Sequence, residues 1–435
     1  MRENPILRGP WWLIPVSVLC LAGMWLYAER VLIAHQVSDA AEHGRPRGNL
    51  SDLYPRWLGA RELLLHGRDP YSPEVTREIQ AGYYGRPLDP SRPEDPKDKQ
   101  AFAYPVYIVF YLAPTVHLPF ELVRKSFFWA LLVLTVGSVL IWLRILRWQL
   151  SMSMQGVVVI LALGSMVVLQ ALKLQQMTLL VAALLAIAFA VLKKGHSVTA
   201  GILLALATVK PQLVCVLLFW LAIWTIGDWR RRYRWIVSFL LTVTVLCVAG
   251  ELWLPHWISR FWQATRDYQL YTDAVPVLDK LLPYPWSRFV ELAAATSAGL
   301  AFWRRRRVEA DSEEFTECTC LSLATTLLLV PSYALYNQVL LVPAILLIVR
   351  DRSRIWKMGM AGKVFLLAGS LLLTWPWCSS TVLAGLSFVL PPEVIQQAWA
   401  VPGWTALTLP VAVAALMLVV AHRGTSSASR KPVPA

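Results

Sequence analysis

The stretch SDLYPRWLGARELLLHG, from Ser51 to Gly67, opens on a carboxylate, Asp52, followed by Tyr54, Arg56 and Trp57. A carboxylate there can cap a helix by accepting a backbone N–H, or take a proton from a hydroxyl acceptor as general base. Asp69, in HGRDPY, has the chemistry of an Asp-Pro turn. In TVKPQ, Thr208 to Gln212, Lys210 stands where two apolar runs meet, and Pro211 disfavours a continuous helix. A lysine at such a break can bind phosphate as a point charge, or snorkel to the interface. LKLQQMTLL, Leu172 to Leu180, sets Lys173, Gln175 and Gln176 between two apolar runs, either as a tight turn or as a polar lining for sugar or phosphate. In SYALYNQVLLVP, Asn337 and Gln338 can bond sugar hydroxyls or link helices. FAYPVY places Tyr104 and Tyr107 around Pro105, where rings can bracket an isoprenoid, stack on a sugar or anchor at the interface. Arg260 and Arg266 are further phosphate candidates.

The elements carrying these residues are set by composition. The chain has 435 residues, 57% hydrophobic and only 16% charged, with 21 Trp, 28 Pro and a formal charge of +14. A soluble domain carries about a quarter charged residues, so a soluble enzyme, a DNA-binding protein and a cysteine-stapled secreted domain are excluded. The apolar residues lie in long runs, and a membrane helix needs about 20 of them. The run Trp11–Ala34 is long for a signal-peptide core and is expected to stay as a first span. Further crossings are predicted near 120–143, 155–171, 174–192, 197–209, 211–227, 235–254, 286–303, 318–332, 338–349, 364–376 and 402–421, about twelve transmembrane helices in all. The proline-broken segments 102–119 and 381–398 read as re-entrant or interfacial pieces, with their crossing left open, and counting 102–119 as a span would invert everything after it.

Charge supports one orientation. With both termini cytoplasmic, the inside segments hold 22 of the 41 basic residues and 8 of the 27 acids. They include Arg2, Arg8, Arg144, Arg147, the WRRRYR and RRRR runs and the tail with Arg423, Arg430 and Lys431. The whole excess then falls on one side. The expected organisation is an N-terminus and first helix over 1–34, an extracytoplasmic loop over 35–101, a transmembrane core over 102–350, C-terminal helices over 351–421 and a cytoplasmic tail over 422–435. The first loop begins with a helix whose Leu58, Leu63, Leu64 and Leu65 suit the membrane surface, and ends in a charged, proline-rich stretch over 86–100 expected to be mobile. The second outer loop, about 255–285, has the aromatic and basic content of a headgroup-level segment.

There is no internal repeat, no P-loop and no dinucleotide-binding fingerprint, which disfavours cytosolic ATP or nucleotide-sugar as donor. Four cysteines lie in apolar runs, and Cys318 and Cys320 have no second pair or histidine nearby. No metal, cofactor or nucleic acid is expected.

The order of these pieces resembles the GT-C-type polytopic glycosyltransferases of family 87, which include the polyprenyl-phosphate-mannose-dependent mannosyltransferases of actinobacteria. The resemblance rests on S-D-L-Y-x-x-W-x-x-A-R-x-L-L-x-x-G-x-x-P-Y at 51–71, F-A-Y-P-V-Y at 102–107, L-Q-Q at 174–176, V-K-P-Q at 209–212 and Y-A-L-Y-N-Q at 333–338. It implies an all-α fold in the bacterial cytoplasmic membrane with its active site at the outer leaflet. A hexose, mannose-like, would pass from a polyprenyl-phosphate donor to a lipid-linked or glycan hydroxyl, with membrane lipids as surroundings. Asp52 matches the family's catalytic aspartate. Lys210, Tyr104, Tyr107, Gln175, Gln176, Asn337, Gln338, Arg260 and Arg266 become substrate-binding candidates. The family's F-x-Y-P-P appears here with Val106 in place of the second proline, and Asn337 and Gln338 stand where histidine is often found, so no histidine role carries over. A lipid or solute transporter, or a non-catalytic envelope assembly protein, would share the same composition.

Overall fold

In the computed structural model the described residues are 9–44, 46–48, 51–272, 274–331 and 333–428, the side chains of 423–428 excepted. Arg2, Arg8, Arg430 and Lys431, which enter the charge argument, lie outside the described residues, as does the side chain of Arg423. Among the described residues every regular helix-length element is helical.

Five helices are long and apolar enough to cross a membrane: Leu13–Glu42, Phe120–Ile145, Trp229–Trp253, Met360–Leu386 and Pro392–His422. The pair Met152–Leu163 and Met166–Lys173, bent by 63° at Gly164 and Ser165, makes a sixth when taken as one span. Other predicted crossings fall on shorter apolar helices, Met177–Lys193, Ser197–Val209, Cys215–Gly227 and Leu335–Arg350. The helices Trp286–Arg304 and Glu313–Leu329 complete the body. The fold is thus all-α with several apolar helices, as a polytopic membrane protein has. Only 11% of the most apolar window of Trp229–Trp253 is covered by the protein, and the same holds for Met360–Leu386. Apolar surface on that scale, including Leu241, Val245 and Val248, needs a hydrocarbon solvent.

The segment 102–119 forms a five-residue helix, Ile108–Leu112, and a single 3-10 turn, Ala113–Thr115. Pro105, Pro114 and Pro119 limit its length, and neither piece is long enough to cross. Pro119 then stands at the start of Phe120–Ile145, where its missing N–H costs nothing.

The 35–101 loop is more closely tied to the body than its composition suggests. The helix Leu53–His66 turns its apolar side to the protein. It buries Leu53, Trp57, Ala60 and Leu63 against Ile108–Leu112, and Trp57 Nε1 donates to the Thr115 carbonyl at 3.2 Å. Leu65 alone of the counted leucines is well exposed. The 86–100 stretch, expected to be mobile, is instead tied down. Arg86 pairs with Asp95, Tyr84 donates to the Asp98 carbonyl at 2.8 Å, and Gln80 bonds both Leu88 N and Lys99 O at 3.1 Å. Polar side chains of the preceding helix, Pro73–Tyr84, supply the order that core residues do not.

At the end assigned to the cytoplasm, Arg232 donates to the carbonyls of Trp224, Arg306 and Val308 at 2.6–2.9 Å, and Arg305 pairs with Glu317 inside the protein. Part of the basic charge there is therefore built into helix ends. Helix Ser197–Leu206 packs closely along Trp229–Trp253, and a Cβ on Gly201 would lie 2.3 Å from the Trp235 carbonyl oxygen. Backbone cannot rotate away. Gly201→Leu is expected to destabilise by about 1–3 kcal/mol, read as a lower melting temperature in detergent, whereas Gly299→Leu, which meets open space, should melt close to the parent.

Candidate active site

The helix Leu53–His66 begins one residue after Asp52, and Gly67, in the left-handed region at φ 65°, ends it. Asp52 occupies the N-cap position but its side chain makes no capping bond. The carboxylate instead accepts a hydrogen bond from Gln176 Nε2. Its backbone is pinned to the same place, because Asp52 N donates to Leu174 O at 3.1 Å and Ser51 Oγ donates to Gln175 Oε1 at 2.7 Å. The receiving corner joins Met166–Lys173 to Met177–Lys193. Gln175 turns it with a left-handed φ of 48°, held by its own amide on the Leu172 and Lys173 carbonyls at 2.8 and 2.9 Å.

Lys210 enters from a third element. Two 3-10 turns, Ala207–Val209 and Pro211–Leu213, flank it, and Pro211 blocks the helix from continuing. The side chain is buried, with Nζ donating to Gln176 Oε1 at 2.9 Å and Thr178 Oγ1 at 2.7 Å. Thr178 in turn donates to Asn337 Oδ1 at 3.0 Å. The ammonium sits 4.9 Å from the Tyr336 ring centre and 5.8 Å from that of Tyr104. One amide, Gln176, therefore joins the carboxylate to the lysine.

Asp52, Arg56, Tyr104, Lys210, Tyr268, Tyr336 and Asn337 all line one cavity of about 380 Å³. Arg56 follows Asp52 by one helical turn, and its guanidinium lies 4.3 Å over the Tyr104 ring. Burial pushes the Asp52 carboxyl above its ordinary value, against the opposing pull of Arg56, Lys210 and the Gln176 bond. A second carboxylate, Asp98, also faces the cavity. Its two oxygens are occupied by Gln100 N and Nε2 at 3.0 and 2.9 Å, which makes it a turn residue. The arrangement supplies a proton acceptor, two cations for a phosphate and aromatic faces in one enclosure.

Other candidates stand elsewhere. Tyr107 does not line the cavity; its hydroxyl donates to Thr208 O at 2.8 Å and so steadies the Lys210 corner. Gln175 and Gln338 face two neighbouring cavities. Arg260 pairs with Asp69, and Arg266 is exposed; neither lines the cavity. The cation that sequence reasoning left without a role is Arg56, although its i, i+4 spacing from Asp52 places both on one helix face. Among the described residues no three His, Cys, Asp or Glu side chains gather as a metal set.

A family model, glycosyltransferase family 87, matches residues 102–332, over half of the chain. The chain belongs to that family. It is accordingly a glycosyltransferase, of a family that depends on polyprenyl-phosphate sugars. The match takes in Tyr104, Gln176 and Lys210, while Asp52, Arg56 and Asn337 lie beyond its ends. No curated protein and no solved structure matches this family 87 chain.

Because the Gln176 bond favours the charged carboxylate, its loss should raise the Asp52 pKa further. In Gln176→Leu the acid limb of the pH–rate profile is expected to move to higher pH and kcat to fall roughly tenfold to a hundredfold. An unmoved limb would show that the amide does not tune this carboxylate.

Proposed function

We propose that the protein is a GT-C-type hexosyltransferase of the bacterial cytoplasmic membrane, with about twelve crossings, both termini cytoplasmic and the Asp52 cavity open at the outer leaflet. Its donor is a polyprenyl-phosphate hexose, mannose-like, and its acceptor a hydroxyl of a lipid-linked sugar or glycan. The observation that carries this reading is the joining of Asp52 to Lys210 through Gln176 in one cavity.

Asp52 takes the proton of the acceptor hydroxyl as its oxygen attacks the anomeric carbon in line. The bond from that carbon to the phosphate oxygen breaks, and polyprenyl phosphate leaves with the bonding pair. Lys210 and Arg56 face the growing phosphate charge with their positions already fixed, so little reorganisation is needed as the reaction proceeds. The raised carboxyl suits a base, since its conjugate acid lies closer to working pH than an exposed aspartate would. Tyr104 and Tyr336 offer faces to the sugar, and their contacts with the cations keep those faces in place. Attack from the side opposite the leaving group inverts the anomeric centre.

The carboxyl also sets a stability test. Its pKa is higher folded than unfolded, so the fold loses stability as pH rises from the unfolded value through the folded one. A neutral isostere avoids that loss. Asp52→Asn is expected to reduce transfer by about 10³-fold while melting at the same or a higher temperature at pH 7; full transfer in folded protein would overturn the assignment. Orientation is tested separately by cysteine labelling, with the exposed native Cys215 and Cys378 replaced. Arg92→Cys should react with an impermeant maleimide in intact cells with the outer membrane opened, and Arg231→Cys only after lysis.

A further inference from the structure

On the other side of the Leu174–Gln176 corner lies a second cavity, of about 520 Å³. Trp25, Phe128 and Trp129 wall it, and Arg124, Lys125 and Lys173 stand around it. Met166 and Leu335 line both this cavity and a third of about 300 Å³, whose walls include Val139, Leu161, Ile345 and Leu409. Cationic head space thus adjoins a largely apolar groove.

We propose that these two neighbouring cavities hold a resident anionic phospholipid of the bilayer, with its phosphate at Arg124, Lys125 and Lys173 and one chain in the apolar groove. Charge fits a phosphodiester. Lys173 pairs with Glu29 and Arg124 approaches Glu121 at 3.6 Å, which leaves the cluster one positive charge in excess. Gln170 lines the head space, and its Oε1 is buried without a hydrogen-bond partner among the described residues. An acceptor in that position calls for a donor, which the hydroxyls of a glycerol headgroup provide. The occupant is not the reacting lipid, because neither Asp52 nor Lys210 lines this space and the Leu174–Gln176 strip stands between. It is nevertheless coupled to the reaction. Gln175 lines the head space and accepts the bond from Ser51, the neighbour of Asp52. A bound headgroup would brace the corner on which the carboxylate rests.

The site rests on the chain lying in a bilayer, not on which sugar it transfers. The test uses the full chain, delipidated in detergent, with phosphatidylglycerol, phosphatidylcholine, polyprenyl phosphate and inorganic phosphate added in parallel. Native mass spectrometry counts bound lipid and a melting curve follows stability. The expected result is one retained phosphatidylglycerol and a raised melting temperature with that lipid alone. Binding should weaken about tenfold in Lys125→Ala and further in the Arg124→Ala, Lys125→Ala double variant, and stay at the parent level in Arg92→Ala, an exposed site away from both cavities. Equal retention of phosphatidylcholine, the same shift with inorganic phosphate, displacement by polyprenyl phosphate, or unchanged binding in the double variant would each overturn the proposal. Because binding is read without transfer, its failure is separable from failure of the Asp52 assignment.

Discussion

A lysine ammonium buried away from water must find oxygen partners, since leaving a buried charge without them costs several kcal/mol. Lys210 sits where a proline breaks the helix, and the elements around it are arranged to meet that demand. Gln176 and Thr178 supply the oxygens. Gln176 then has its amide N–H group turned outward, and Asp52 receives it. A cation and a carboxylate are so held in one cavity without collapsing onto each other. An intervening amide leaves both charges available to a substrate, which a direct ion pair would not.

The same demand explains where irregular backbone is tolerated. Breaks cluster at the Gly164–Ser165 bend, the Gln175 corner, the Lys210 turns and the 3-10 segment Leu335–Leu341. Unpaired backbone survives at membrane depth only where protein or a polar cavity satisfies it. The last two of these breaks line the Asp52 cavity, the Gln175 corner holds its carboxylate, and side chains complete the bonding that helices omit. Tyr107 on the Thr208 carbonyl and Trp377 on the Gly164 carbonyl are examples, each spanning over a hundred residues of sequence. The helix Leu53–His66 is part of this construction. Its apolar face packs on Ile108–Leu112, and that contact delivers Asp52 and Arg56 to the mouth of the cavity.

Much of the candidate site was legible because the signals are local. Asp52 at a helix start, Lys210 before a proline and the paired glutamines between apolar runs are each odd in a chain this hydrophobic. Arg56 was legible in principle, since it follows Asp52 by one turn, but the face it shares with Asp52 matters only once that face is known to line a cavity. Arg260 was a weaker candidate in sequence, as a cation in an aromatic loop, and Asp69 stands beside it. The 86–100 stretch misled for a related reason. Low apolar content predicts disorder only when nothing else binds the backbone, and here Gln80, Tyr84 and Asp95 do.

By itself the sequence determined that the protein is helical and apolar, and that its backbone breaks at the Gln175 corner and at Pro211. These follow from solvation and backbone sterics acting over a few turns. Tertiary structure alone decided which polar groups meet. Gln176 reaches Asp52 across 124 residues and Lys210 across 34, and both contacts depend on the left-handed turn at Gln175. A hydrogen bond requires placement within a few tenths of an ångström. Propensity and hydropathy place a helix but not a side-chain atom, so that precision comes only from elements packed against one another.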